Sequence, residues 1–277
     1  MRYQINLPPL PEQKRIAEIL SSLDDKIELN TKMNKNLEEI AQAIFKQWFV
    51  DFEFPDENGN PYKSSGGKMI QSELGEIPEG WSVKVADDLF EINIGKTPPR
   101  NEKEWFSLDP KDTKWLSIKD LGNSGAFILS TSEYLTSDAI KKFNIKIVPK
   151  GSVVLSFKLT VGRVGIVNEE MVTNEAIAHF NMKHENEITK EYIYLYLMNF
   201  NYTSLGSTSS IAIAVNSKII KSMPILLPSK VALSGFSKNV KLLYDKILNN
   251  QLENQSLTKT RDALLPKLMS GEIRVNL

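Results

Sequence analysis

Few side chains in this sequence have the chemistry and spacing of a catalytic centre. The chain has no cysteine and two histidines, His179 and His184. A cysteine nucleophile, a disulfide and a thiolate metal site are therefore excluded, and so is a zinc site built on three histidines. His179 lies within an apolar alternation, which predicts a packed residue of the core or of a sheet edge rather than a general base.

One short segment invites comparison with a phosphate-binding loop. Gly95, Lys96 and Thr97 follow one another, but a Walker loop needs a glycine five residues before Gly95, and that position is Phe90. The sequence also lacks a glycine fingerprint for a nucleotide cofactor after a clear strand. It has no Asn/Asp-Pro-Pro-aromatic run of the kind that adenine methyltransferases use. We therefore expect no enzymatic activity from this chain alone.

Charge and hydropathy narrow the classes of partner. Lys plus Arg and Asp plus Glu both count 34, so the net charge is zero, whereas a free-standing nonspecific nucleic-acid binder is usually basic. If the chain binds DNA, something else must supply much of the phosphate attraction. No apolar run approaches the ~20 residues of a membrane-spanning helix. The first residues lack an apolar signal region, so we expect a cytoplasmic protein without membrane association.

The two ends of the chain are similar to each other. When the N-terminal segment is shifted by 220 residues, so that Ile27 is aligned with Ile247, eleven positions of the ungapped alignment are identical. In both copies, seam residues recur at alternating steps of four and three, which predicts a helix with a heptad seam. Because both helices join the middle of the chain at their inner ends, we predict that they pair antiparallel.

Asparagines within the two seams indicate the register of this pairing. One alignment sets Asn30 opposite Asn254 and also Asn34 opposite Asn250. Coiled coils tolerate such buried amides because they fix the register at a cost in stability. An alignment that satisfies both layers therefore favours a helical hairpin over two helices that pack separately.

Capping residues predict where the helices begin and end. Pro11 suits a helix start, and Ser229 can cap the second helix. Gly271 predicts its C-terminal stop, and Pro266 predicts an end or a bend one turn earlier.

The middle of the chain predicts a mixed domain. Residues 51–74 are polar and rich in turn formers, which predicts a linker. Residues 75–228 carry β-branched runs at 153–155, 164–167, 177–180 and 225–227, a helix capped by Thr189 and a short helix at 216–222. The predicted organisation is a helix in residues 1–50 (about 11–50), a linker (51–74), a globular domain (75–228) and a C-terminal helix in 229–277. The fold class is α+β, a mixed α/β domain attached to a long antiparallel two-helix coiled coil.

Several motifs together resemble the specificity (S) subunits of type I restriction–modification systems. Residues 7–17 (LPPLPEQKRIA) and 43–52 (AIFKQWFVDF) are similar to a conserved region of that family. Residues 75–81 (GEIPEGW) are similar to the start of its target recognition domain, and 268–275 (LMSGEIRV) to its ending. Shorter similarities lie at 95–98, 115–116, 149–151, 162–165, 174–176 and 206–208. The family usually has two recognition domains and this chain has one, so we interpret it as a half-length form.

The resemblance implies a non-catalytic subunit that reads one half of a split site in double-stranded DNA. Its helices would act as a spacer and dock methylation (M) subunits and the restriction (R) subunit. The M subunits would bind S-adenosylmethionine, and this chain would bind no cofactor or metal. The alternatives are a coiled-coil scaffold that does not read DNA and a regulatory decoy that binds methylation subunits.

Polar and basic residues in glycine-rich loops are the predicted DNA contacts, because such side chains suit groove contacts. The predicted set is Thr97, Arg100, Lys119, Lys158, Thr160, Arg163, Ser207, Thr208, Ser209, Ser210, Asn216 and Lys218.

The helical end that lacks a second recognition domain predicts self-association. Ile16, Leu20, Leu264 and Leu268 are expected to be bare there, and exposed apolar residues favour association. A twofold homodimer through this end would carry identical readers, so its target would be palindromic.

Overall fold

The computed structural model describes residues 8–183, 188–205 and 216–275, which form two compact units. One unit contains helical residues up to Glu39 and from Leu243 onward, and the other contains Ile40–Leu242. The predicted α+β class is confirmed. Within the described ranges, no helix is long and apolar enough to cross a membrane.

The described residues form helices, strands and short 3-10 turns. The helices are α1 (Leu10–Phe49), α2 (Ala86–Leu89), α3 (Ile118–Asn123), α4 (Ser137–Lys142), α5 (Lys190–Asn199), α6 (Ser217–Lys221) and α7 (Lys230–Ser270). The strands are β1 (Met69–Ser72), β2 (Gly75–Pro78), β3 (Ser82–Val85), β4 (Phe90–Ile94), β5 (Phe106–Ser107), β6 (Thr113–Leu116), β7 (Phe127–Ile128), β8 (Glu133–Leu135), β9 (Val153–Ser156), β10 (Val164–Val167), β11 (Val172–Thr173), β12 (Ile177–Met182) and β13 (Pro224–Leu227). The 3-10 turns are Lys103–Trp105 and Tyr202–Leu205. The four predicted strands correspond to β9, β10, β12 and β13, and the two predicted helices to α5 and α6.

The helical unit pairs α1 with α7 in the predicted register. Asn30 Nδ2 donates to Asn254 Oδ1 at 2.9 Å, and Asn250 Nδ2 donates to Asn34 Oδ1 at 2.8 Å. Asn30, Asn34 and Asn250 are buried, and Asn254 is half-buried. Both predicted amide layers therefore form in a single antiparallel alignment. We call this unit the helical hairpin.

The ends of α7 agree with the prediction at two of three residues. Ser229 Oγ accepts from the Ala232 N–H at 3.2 Å, and the helix stops before Gly271, whose φ is 77°. Of the two alternatives predicted at Pro266, the end of the helix is wrong, because α7 runs through it to Ser270, and the bend stays a prediction. The next seam residue, Leu268, is only 3% exposed. Its burial offsets the hydrogen bond that the proline removes.

The end of the helical hairpin at Ile16 and Leu268 is not bare, which corrects the expectation. These two side chains are 8% and 3% exposed, and Leu20 and Leu264 are half-buried. They lie at facing seam positions, so the hairpin covers its own apolar stripe. The apolar side chains that are exposed toward this end are Leu10, Leu265, Met269 and Ile273.

Part of the predicted linker is folded into the globular unit. β1 pairs antiparallel with β2. Phe54 is buried and stacks on Tyr62 at 4.6 Å and on Trp81 at 4.9 Å between ring centroids. The polar composition of residues 51–74 predicted a free connector, but two aromatic rings are enough to anchor the segment.

Two sheets form the core of the globular unit. The larger sheet has the order β4-β12-β9-β10-β7, with β7 parallel to β10 and the other neighbours antiparallel. The smaller sheet has the order β11-β6-β8-β5. Every residue of β9 and β10 is buried, as the uninterrupted apolar runs require.

Candidate nucleic-acid interface

Strand direction brings several loops to one edge of the larger sheet. β4 ends at Ile94 beside the start of β12, and β9 ends at Ser156 beside the start of β10. The end of β6 joins them, because the Asn174 N–H donates to the Leu116 carbonyl at 3.0 Å. We call this surface the loop edge and define it as residues 95–100, 117–120, 157–163 and 174–176.

Backbone hydrogen bonds hold the loop edge together. The Gly95 N–H donates to the Ile177 carbonyl at 3.1 Å, and the Phe157 N–H donates to the Ala176 carbonyl at 2.9 Å. A Cβ on Gly95 would lie 2.2 Å from the Asn174 carbonyl oxygen. Glycine at position 95 therefore permits a close approach of two loops, which gives it a packing role unrelated to phosphate binding.

The loop edge gathers half of the predicted DNA contacts. Its members from that set are Thr97, Arg100, Lys119, Lys158, Thr160 and Arg163. Residues that are distant in the sequence thus share one surface, as a binding surface requires. The predicted contacts Ser207, Thr208, Ser209 and Ser210 lie outside the described residues.

Asn216 and Lys218 lie elsewhere in the globular unit. Asn216 caps α6, because its Oδ1 accepts from the backbone N–H groups of Lys218 and Ile219 at 3.0 and 3.1 Å. Three residues beyond Lys218, the ammonium of Lys221 pairs with Asp87 at 3.4 Å, next to the start of β4. The loop edge follows the opposite end of β4, which is Ile94. These two predicted contacts are therefore not brought together with the other six.

Arg100 is held by an ion pair and by aromatic rings. Its guanidinium donates to both carboxylate oxygens of Glu133, at 2.9 and 3.0 Å. It also lies 4.2 Å from the ring centroid of Phe106 and 4.4 Å from that of Trp115. These contacts orient the planar guanidinium of Arg100 and neutralise part of its charge.

Arg163 joins the β9–β10 loop to α3. Its Nη1 donates to the Ile118 carbonyl at 2.9 Å, and its backbone N–H donates to Ser156 Oγ at 3.1 Å. A Cβ on Gly122 would lie 2.0 Å from the same Nη1, so glycine there leaves room for the guanidinium. The side chain is half-buried, and its donors beyond Nη1 are available to another partner.

Lys119 and Lys158 are exposed charges. Throughout the part of the chain that the structure describes, neither ammonium forms a hydrogen bond or ion pair, although Lys158 Nζ lies 5.5 Å from the Phe157 ring centroid. Thr97, by contrast, donates its hydroxyl to the carboxylate of Glu175. The two lysines are the side chains of the loop edge best suited to contact phosphates.

His179 lies in β12 below the loop edge and is fully buried. Its Nε2 is 2.6 Å from the Thr173 hydroxyl, and burial lowers its pKa to about 4. The imidazole is therefore neutral at neutral pH. This agrees with the predicted packed residue. Among residues 8–183, 188–205 and 216–275, no cluster of three or more His, Asp or Glu side chains could hold a metal ion.

Sequence reasoning missed Leu159 at the tip of the β9–β10 loop. Its side chain is 96% exposed, and its φ is 62°. Residue type predicts the opposite on both counts, because leucine favours burial and rarely adopts a positive φ. The only available signal was the Gly162-containing turn between two apolar runs, which marks a hairpin without indicating what its tip presents.

Comparisons of sequence identify a family. The family model described as "Type I restriction modification DNA specificity domain" matches residues 1–39 and 78–259. The Type I restriction enzyme HindI specificity subunit of Haemophilus influenzae is 31% identical over 97% of this chain and 69% of its own length.

Solved structures share the fold. The S subunit of a type I restriction–modification system from M. genitalium superposes with a TM-score of 0.58 and 15% identity, over 94% of this chain and 61% of that one. A chain from a structural study of complex assembly and conformational transition of the type I R–M system gives a TM-score of 0.50 and 16% identity, over 96% and 61%. This chain thus spans 61–69% of the length of these three proteins.

Proposed function

Because this chain belongs to the type I restriction–modification DNA specificity family, we propose that its loop edge reads one half of a split DNA site. The observation that carries the proposal is the convergence of six polar or basic side chains from separate loops on one surface. Two of these, Lys119 and Lys158, are exposed lysines with no partner among the described residues. Unpaired cations bind phosphates, and the oriented guanidinium of Arg163, whose donors beyond Nη1 are available, suits a base edge.

The proposed subunit works within a larger cytoplasmic complex. Methylation subunits, and through them the restriction subunit, would dock on the helices and clamp the phosphates. This division explains how a chain with zero net charge can take part in DNA binding. The methyl donor S-adenosylmethionine would be bound by the methylation subunit, and this chain would contribute recognition without catalysis.

Sequence selection from random DNA tests the proposal. The purified complex with its methylation subunit should enrich a recurrent short motif, and cells that express the complex should be methylated at the same motif. Enrichment of no motif would contradict DNA reading and favour the scaffold or the decoy. For variants of the loop-edge lysines, Lys119→Ala and Lys158→Ala, the matched control is Lys84→Ala, because Lys84 is an exposed lysine on β3, outside the loop edge.

The exposed apolar residues near the end of the helical hairpin support a homodimer. Leu10 and Met269 are 64% and 63% exposed, and Leu265 and Ile273 are also exposed. A twofold contact would cover these residues and place identical readers in one particle, so the target would be a palindrome with a nonspecific gap. Light scattering should find two S chains per particle. One S chain per particle at micromolar concentration, in both the isolated chain and its methylation-subunit complex, would contradict the dimer.

A further inference from the structure

The β9–β10 loop presents one apolar side chain to solvent at its tip. Leu159 is 96% exposed, whereas Phe157 in the same loop is buried and Val161 is 36% exposed. Exposed leucines are common on protein surfaces, so exposure by itself decides nothing. The backbone of Leu159 adds a second and independent observation.

Leu159 occupies a strained turn. The Thr160 N–H donates to the Lys158 carbonyl at 2.7 Å, which closes a three-residue γ-turn around a φ of 62°. A positive φ at the centre marks the rarer and more strained of the two γ-turn forms, and leucine is a costly residue there. Strain of this kind persists when the surroundings hold it in place, and it is concentrated at ligand-binding positions.

Side-chain and backbone hydrogen bonds hold the turn in this conformation. Ser156 Oγ donates to the Thr160 carbonyl at 2.5 Å, and the Gly162 N–H donates to the Ser156 carbonyl at 3.0 Å. The guanidinium of Arg163, just before β10, bonds to the Ile118 carbonyl and so ties the end of the loop to α3. The tip is therefore a stiff support for Leu159.

The charge around the tip indicates an anionic partner. Residues 157–163 contain two basic side chains, Lys158 and Arg163, and no acidic one. The acidic side chains of the neighbouring loops are already engaged by hydroxyl groups, Asp120 by two serines and Glu175 by Thr97. Lys119 lies on α3, to which Arg163 is bonded. An apolar tip between cations matches a base stack lined by phosphates better than it matches an apolar protein groove.

We propose that Leu159 is a wedge that enters the DNA duplex and separates one base step of the half-site. The proposal rests on the DNA reading proposed above and names the contact that deforms the duplex. Proteins that kink DNA insert leucine and similar apolar side chains between bases, and parting the stack costs energy that a stiff insert can transmit. The strained turn supplies this stiffness, and Lys158 next to it holds the adjacent phosphate.

Fluorescence of 2-aminopurine tests the wedge directly, because unstacking raises its emission. The full chain in complex with its methylation subunit is bound to the selected site, with 2-aminopurine placed at successive positions. We expect enhanced emission at one step with the wild type, its loss in Leu159→Ala and its retention in Leu159→Met. Affinity for the site should fall about tenfold in Leu159→Ala.

Three comparisons make the result decisive. Leu108→Ala removes another leucine that is 80% exposed but lies outside the loop edge, and it should leave both emission and affinity unchanged. Methyltransferases flip their target base, so emission that persists in Leu159→Ala marks that base and counts against the wedge at that position. Wild-type binding with no enhanced step outside the flipped base, or with equal emission in Leu159→Ala, would overturn the wedge while the proposed function stands. Failure of the wild type to select any motif would instead overturn the proposed function.

Discussion

The helical hairpin and the loop edge use polar side chains in opposite ways. In the hairpin, Asn34 and Asn250 are buried and bonded to each other across the helices. At the loop edge, Lys119 and Lys158 are exposed and have no partner among the described residues. The polar groups that fix the register bond to each other within the protein, whereas the exposed ammonium groups of the loop edge are available to an outside ligand. Arg100 and Arg163 lie between these extremes, since each is oriented by the protein and keeps donors for another partner.

The largest expected effect is that of acid on the stability contributed by His179, the buried titratable side chain below the loop edge. Burial lowers the pKa of His179 from 6.5 to about 4, so the unfolded chain takes up a proton before the folded one does. The stabilising contribution is complete above pH 6.5 and is lost as the pH falls from 6.5 to about 4. The loss is roughly 3 kcal/mol at most.

Urea unfolding of wild type and His179→Gln across this pH range measures the effect. The glutamine side chain can keep the hydrogen bond to Thr173 but does not titrate. The variant should therefore lose the part of the pH dependence that lies between pH 6.5 and 4. Identical pH profiles for the two proteins would show that the imidazole does not stay neutral in the fold.

Removing one amide from the helical hairpin should cost nearly as much stability. Asn34→Ala leaves the Asn250 amide buried without its partner, which costs about 2 kcal/mol. Asn36→Ala is the matched control on the same helix, because Asn36 is exposed, and its free energy of unfolding should change by less than about 0.5 kcal/mol. Equal losses in chemical denaturation would mean that the amide layer does not stabilise this register.

Replacing Arg163 should weaken DNA binding more than it lowers the stability of the fold, because the side chain is oriented by the protein and keeps donors for another partner. We expect Arg163→Ala to weaken binding to the selected site about tenfold, or about 1.4 kcal/mol. This is the lower part of the range for a bidentate guanine contact, because Nη1 is already engaged by the Ile118 carbonyl. Affinities across base variants of the site distinguish two mechanisms. Relaxation at one position indicates base reading, and a uniform loss indicates a phosphate contact. Unchanged affinity would remove Arg163 from the interface.

The smallest effect is expected from the exposed lysines. Lys119→Ala and Lys158→Ala should each reduce the slope of log affinity against log salt by about 1, with no change in sequence preference. Titrations at several salt concentrations measure this slope. Lys84→Ala on β3 should leave it unchanged. If all three variants behaved alike, the charge would act through the field of the whole protein rather than through contacts at the loop edge.

The same contrast explains which features could be predicted from the sequence. The pairing of Asn30 with Asn254 was predictable because a heptad seam fixes which residues face each other along the whole helix. Caps such as Thr189 and Ser229 were predictable because their partners lie three residues away. The helix does not end at Pro266, because the burial of Leu268 outweighs a local preference.

The loop edge was predictable in residue type but not in contacts. The partners of Arg100 and Arg163 are Glu133 and the Ile118 carbonyl, which lie 33 and 45 residues away along the chain. Such contacts depend on strand order, which residue spacing does not specify. Leu159 depends on a turn conformation that its residue type disfavours. The segment 51–74 was misjudged because its average composition concealed the anchoring ring of Phe54.

The antiparallel pairing also imposes a waiting time during synthesis. Asn30 and its partner Asn254 are 224 residues apart in the chain. At about 5–20 residues per second, a ribosome needs roughly 10–45 seconds between them. During this interval the seam of α1 has no partner helix, and the globular unit can fold first. The nascent chain therefore carries an uncovered apolar stripe for many seconds before the partner helix is made.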